Sequence, residues 1–197
     1  MSTQTDFNNS EPEKNGFWKE AYDWAESICI SLAIVMFLFS FCFKTVEVWG
    51  PSMEDTLHGR DIDNVISTSG DKLLISNLFY TPECGDIIVI QSDYEEETII
   101  KRVIATEGQE VDIDFSTGEV KVDGEVLDEP YIKNLTTKSG NVDFPVTVPE
   151  DCVFVLGDNR EVSLDSRYTV IGMVNTNDIL GRVVLRIYPF SQFGTVK

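Results

Sequence analysis

Thr98-Ile99-Ile100-Lys101-Arg102-Val103-Ile104 has the alternation of a strand, and it places one ionisable side chain among apolar ones. On one face Lys101 falls between Ile99 and Val103, an environment that disfavours an ammonium ion. Arg102 points the opposite way. Strand-like runs recur on both sides of this stretch: Leu73-Leu74-Ile75, Ile87-Ile88-Val89-Ile90, Val111 to Phe115, Glu119 to Val122, Val153-Phe154-Val155-Leu156 and Arg182 to Ile187. Asp123-Gly124, between Val120-Lys121-Val122 and Glu125-Val126-Leu127, signals a hairpin turn. Ser116-Thr117-Gly118 links the preceding pair. No long amphipathic helix, internal repeat or low-complexity block follows Lys44. The fold class is mainly β.

Upstream the pattern changes. Ser27 to Phe43 runs without a charge, and as a helix it would span ~26 Å, enough for a hydrocarbon core. Tyr22 and Trp24 sit at one edge, Lys44 and Trp49 at the other, as interfacial anchors would. A cleaved signal peptide would have a basic start and a small-residue cleavage site. Here the start carries Glu20, Asp23 and Glu26, and the exit reads Phe43-Lys44-Thr45-Val46. The expected organisation is a polar, disordered tail over 1–20, one transmembrane anchor over 21–44, and a β domain over 45–197. Lys14 and Lys19 before the run and Lys44 and Arg60 after it do not fix the orientation.

The chain has 197 residues, 42% of them apolar, enough for one domain core plus appendages. Its formal charge of −19 argues against nucleic acid and against a polybasic membrane patch. Cys29 and Cys42 fall inside the apolar run, leaving Cys84 and Cys152 as a candidate pair or as free thiols. With no C-x-x-C and a single histidine, His58, a zinc site is not expected, nor is any other cofactor. Asn134-Leu135-Thr136 fits a glycosylation pattern, a weak three-residue signal.

Two further stretches carry chemistry: Trp49-Gly50-Pro51-Ser52-Met53-Glu54-Asp55-Thr56-Leu57, and Gly157-Asp158-Asn159-Arg160-Glu161-Val162-Ser163-Leu164-Asp165-Ser166-Arg167. A serine hydroxyl needs a base, and a lysine serves as one only when its surroundings keep it neutral. Apolar neighbours on both alternating faces weigh against the solvated, snorkelling lysine usual on a strand. Composition alone would make Ser52 an ordinary turn serine. Its flanks, Met53, Thr56 and Leu57, and the downstream segments decide otherwise.

Together these stretches resemble the type I signal peptidases, membrane-bound Ser-Lys proteases that cut signal peptides from exported proteins. The serine stretch is similar to the family's G-x-S-M-x-P-T-L, the lysine stretch to its K-R-V-I, and the third to G-D-N-R-x-x-S-x-D-S-R. Gly85-Asp86-Ile87-Ile88-Val89-Ile90 is similar to a further family segment. The four lie between Gly50 and Arg167 in the family's order.

The resemblance implies an antiparallel β-sheet peptidase domain of the signal-peptidase type, exported across the cell membrane, with a small variable insertion at about 106–150. It implies Ser52 as nucleophile, Lys101 as base, and Ser163 as the hydroxyl that positions the lysine amine. Asp158, Arg160, Asp165 and Arg167 are read as ion pairs that rigidify their segment, with Arg102 a candidate partner of Asp158. Val48, Gly50, Met53, Leu57 and Ile100 are expected to meet the substrate, a preprotein with small residues before the cut. An extended substrate could add as a strand between Val46-Glu47-Val48-Trp49 and Thr98-Ile99-Ile100. His58 is left as a surface residue. The partners implied are preproteins and membrane lipid.

Two departures stand out. Asp55 occupies the family's usual proline position. Gly50 stands where some relatives carry a serine that helps bind the oxyanion, so the Ser52 N–H is the one donor named. The rival readings are another Ser-Lys protease on a related fold and an inactive anchored relative that binds precursors without cutting them.

Overall fold

The computed structural model describes residues 14–60, 69–92 and 98–196. These form two compact units that meet in sequence at Phe41 and Cys42.

Helix α1, Lys14–Cys42, makes up the described part of the first unit and ends one residue into the second. It runs further N-terminal than the apolar stretch alone suggests. Its first turns carry the good helix formers Lys19, Glu20 and Ala21, and an established helix extends at low cost once nucleated. The disorder expected for 1–20 therefore falls partly on residues 14–20, which are helical, and partly on 1–13, outside the described residues. Phe17–Cys42 is long and apolar enough to cross a membrane. Ser27 Oγ donates to the Asp23 carbonyl and Ser31 Oγ to the Ser27 carbonyl, so neither hydroxyl is left unpaired along this helix.

The second unit is built on antiparallel sheets. One has seven strands: β1 (Lys44–Glu47), β2 (Lys72–Ser76), β3 (Ile87–Gln91), β4 (Thr98–Thr106), β9 (Cys152–Leu156), β10 (Val174–Asn175) and β11 (Ile179–Tyr188). Their spatial order is β1-β2-β11-β3-β4-β9-β10. The expected mainly β, antiparallel architecture with one N-terminal apolar helix is thus present. β11 is longer than the Arg182 to Ile187 run, because Ile179 and Gly181 still pair with β3.

Between β4 and β9 the chain builds a second sheet, β7-β6-β5-β8, from β5 (Glu110–Asp114), β6 (Glu119–Val122), β7 (Glu125–Val126) and β8 (Val146–Thr147). At the β6–β7 turn Asp123 and Gly124 both take positive φ, 52° and 82°. Asp tolerates that region and Gly adopts it freely, hence the Asp-Gly signal.

Three apolar clusters fill the unit. One gathers Val48, Met53, Leu57 and Ile100 with parts of β2 and β3. A second packs the four-stranded sheet onto Ile104, Phe154 and Leu156. The third holds Ile88, Ile99, Val103 and Val155.

Candidate active site

Strand β4 carries Lys101 and Arg102 in adjacent positions, and both are buried, at 3% and 2% exposure. Lys101 pairs across the sheet with Ile88. Ile99, Val103 and Ile88 belong to one buried apolar cluster, as the alternation predicts. The Lys101 Nζ lies 3.0 Å from Ser52 Oγ and donates to the Ile100 carbonyl at 3.1 Å. The two residues that carry the sequence reading, 49 positions apart, are thus in direct contact.

Ser52 sits on an irregular turn after β1. Gly50 enters it at φ 72°, a conformation glycine adopts without strain. The turn is tight: a Cβ on Gly59 would overlap the Gly50 carbonyl at 1.9 Å. Leu57 N–H bonds back to the Met53 carbonyl at 2.8 Å. Asn159 fastens the turn from the other side. Its backbone N–H donates to the Ser52 carbonyl at 3.0 Å, and its Nδ2 to the Pro51 carbonyl at 3.1 Å. Among the described residues no protein acceptor takes the Ser52 N–H. Asn159 was not among the expected site residues. Its signal, an amide beside a strand end in Gly157 to Arg167, has no spacing that announces a partner so far upstream.

The Gly157 to Arg167 segment is held by charge pairs in the interior. Asp158, fully buried, receives Arg102 in a two-pronged bond at 2.9 and 2.7 Å. Arg102 also donates to the Gly85 carbonyl and lies 3.9 Å from the Tyr131 ring. Arg167 spans both oxygens of Asp165, and Asp165 in turn accepts the Gly157 N–H. Arg160 pairs with Glu129, at 2.6 and 3.1 Å, and with Thr136. Each such arginine has its donors met, which a buried guanidinium requires. In the Asn134-Leu135-Thr136 pattern, Thr136 is fully buried and committed to Arg160, while Asn134 is half-buried.

Ser163 lies at this corner but makes no contact of the expected kind. Its hydroxyl is buried and unpartnered, and Lys101 donates to Ser52 and Ile100 instead. Ser163 packs on Gly157, where an added Cβ would meet Ser163 Oγ at 2.3 Å and the Ser52 carbonyl at 2.5 Å. The hydroxyl thus stands next to the turn that bears the serine, with its hydrogen-bonding capacity unspent.

Val48, Met53, Leu57 and Ile100 come together in one buried cluster. His58 is exposed; its N–H donates to Asp71 Oδ2 at 3.1 Å. Asp71 also meets Arg186 at 3.2 Å, and Arg186 reaches the Thr56 carbonyl, which ties the serine turn to β11. Cys84 and Cys152 are free thiols, and burial pushes both thiol pKa values up. Among the described residues no cluster of His, Cys, Asp and Glu could hold a metal ion.

Residues 21–188 match the model of the family described as signal peptidase, peptidase S26. The chain belongs to this family. It is 32% identical to a signal peptidase I of Bacillus amyloliquefaciens, over 95% of this chain and 99% of that one. It is 30% identical to a signal peptidase IB of Staphylococcus aureus, over 89% and 93%. A solved signal peptidase I from Enterococcus faecalis is 29% identical and covers 53% of this chain and 98% of its own, with a TM-score of 0.45. Family membership makes the chain a peptidase of the signal-peptidase kind and bears out the resemblance read from its four segments.

Proposed function

We propose that the chain removes signal peptides from exported preproteins as a serine endopeptidase working through Ser52 and Lys101, held at the membrane by α1. The observation that carries this reading is the 3.0 Å contact between Lys101 Nζ and Ser52 Oγ inside a buried apolar strand.

A buried amine surrounded by isoleucine and valine favours its neutral form, and a neutral Nζ can accept the hydroxyl proton. Ser52 Oγ then attacks the scissile carbonyl and forms a tetrahedral oxyanion. The Ser52 N–H, which among the described residues meets no protein acceptor, is the donor proposed for that charge. Lys101 returns the proton to the leaving amine, and the acyl-enzyme is hydrolysed by water with the same amine as base. Asn159 fixes the turn, the Arg102–Asp158 pair fixes the strand register beside Lys101, and Ser163 supplies a hydroxyl to which the amine turns as Ser52 becomes acylated. Val48, Met53, Leu57 and Ile100 form the apolar floor for small side chains before the cut. No cofactor takes part.

α1 anchors the chain, with the tail before it in the cytoplasm and residues from about 45 onward outside. The chain between β4 and β9, about 106–150, is the variable insertion. The relatives named signal peptidase I and IB support the substrate assignment.

The test is cleavage of a membrane-inserted precursor with Ala-x-Ala before its cut site. The wild type should release the mature protein, and Ser52→Ala should leave it uncut. Cutting by Ser52→Ala would remove the serine mechanism.

A further inference from the structure

Between β7 and β8 the stretch 129–136 forms no strand; the Thr136 N–H still bonds to the Gly118 carbonyl beside its own sheet, but several side chains of the stretch land on the site. Glu129 and Thr136 hold Arg160, and the Tyr131 ring lies against Arg102. The Lys133 N–H donates to the Asp158 carbonyl at 3.1 Å. Its side chain then crosses to the segment after Ser52, with Nζ 3.1 Å from Glu54 Oε2 and 3.4 Å from Asp55 Oδ1. One short strap therefore reaches the neighbour of Lys101 on one side and the neighbours of Ser52 on the other.

Asp55 occupies the position where a proline would restrict the backbone after the nucleophile. A carboxylate gives no such restraint, and beside Glu54 it adds repulsion. A cation placed between the two acids relieves that repulsion and fixes the turn from outside. The hydrogen bond to Glu54, then that to Asp55, holds the Lys133 ammonium above the ordinary lysine range.

We propose that Lys133 is a positioning residue for Ser52, tying Glu54–Asp55 to the strap and, through the Asp158 carbonyl, to the ion pair beside Lys101. The inference rests on the reading of Ser52 as nucleophile. The contacts are partly exposed, so the effect is modest and screened by salt.

The experiment uses the full chain in vesicles with a precursor carrying Ala-x-Ala before its cut. kcat, KM and Tm are measured for wild type, Lys133→Met, Glu54→Gln/Asp55→Asn, the triple variant and Ser52→Ala. Lys133→Met should lower kcat about threefold at low salt, with KM and Tm unchanged. The loss should vanish at about 0.5 M salt, and Lys133→Met should add nothing in the background lacking both acids. An unchanged kcat, the same loss without the two acids, or a loss matched by a fall in Tm overturns the proposal. Activity in Ser52→Ala overturns it together with the nucleophile reading, whereas an inert Lys133→Met beside an inactive Ser52→Ala overturns it alone.

Discussion

In the proposed mechanism Lys101 must be uncharged to deprotonate Ser52, and its burial, at 3% exposure, disfavours the charged form. kcat/KM should therefore rise with pH through an apparent pKa below the ordinary lysine value of ~10.4. His58→Ala should leave that profile in place, since His58 is exposed and bonds Asp71 only through its backbone. Loss of the rise in His58→Ala would transfer the base role to the histidine. Ser163→Ala should lower kcat while sparing Tm, because its hydroxyl holds up no other group in the fold. Equal loss of activity and Tm would make Ser163 structural. The Ser52–Lys101 contact was legible from residue types and flanking motifs. The role of Asn159 was not: it acts on two carbonyls more than 100 positions upstream, and periodicity holds no information about such a pairing.

At the scale of elements, β4 carries the proposed base on one residue and an interior ion pair on the next. In the proposed mechanism Lys101 acts as a neutral amine, while the Arg102 guanidinium is met by Asp158. Asp158→Ala should cost about 3–5 kcal/mol in urea unfolding, because it leaves a buried guanidinium uncompensated. A loss below ~1 kcal/mol would show that water reaches Arg102. Strand existence followed from alternation, and the Asp123-Gly124 turn from its conformational preference. The pairing of Arg160 with Glu129 escaped sequence reading because the strap that bears Glu129 has no periodicity; only the fold brings it to the Gly157 to Arg167 segment. Tyr131, on the same strap, is kept neutral chiefly by burial, with its pKa pushed above the ordinary tyrosine value. Tyr80 is raised likewise by burial and Asp86. Both tyrosines favour the folded state while protonated, so their stabilisation is full below pH ~10 and declines above it. Circular dichroism across pH 9–12 should show Tm falling only beyond that point.

For the molecule as a whole, a chain starting near Lys44 should still cut soluble peptides, since the contacts given above for Ser52 and Lys101 come from residues after β1 begins. It should cut membrane-inserted precursors poorly, because shared tethering raises effective concentration. Protease added outside spheroplasts should degrade the domain after Lys44 and spare the N-terminal tail; the reverse pattern would invert the proposed orientation. The apolar helix was plain from composition, but its extension N-terminal of the apolar stretch, as far as Lys14 among the described residues, was not, since helix extension depends on propagation rather than apolarity. The central claim is that Ser52 and Lys101 act as one unit. It is tested most directly by single-turnover cleavage of a precursor in vesicles by wild type, Ser52→Ala, Lys101→Ala and the double variant. The prediction is that each single change abolishes cleavage and the double is no slower than either. Losses that multiply in the double variant would contradict it.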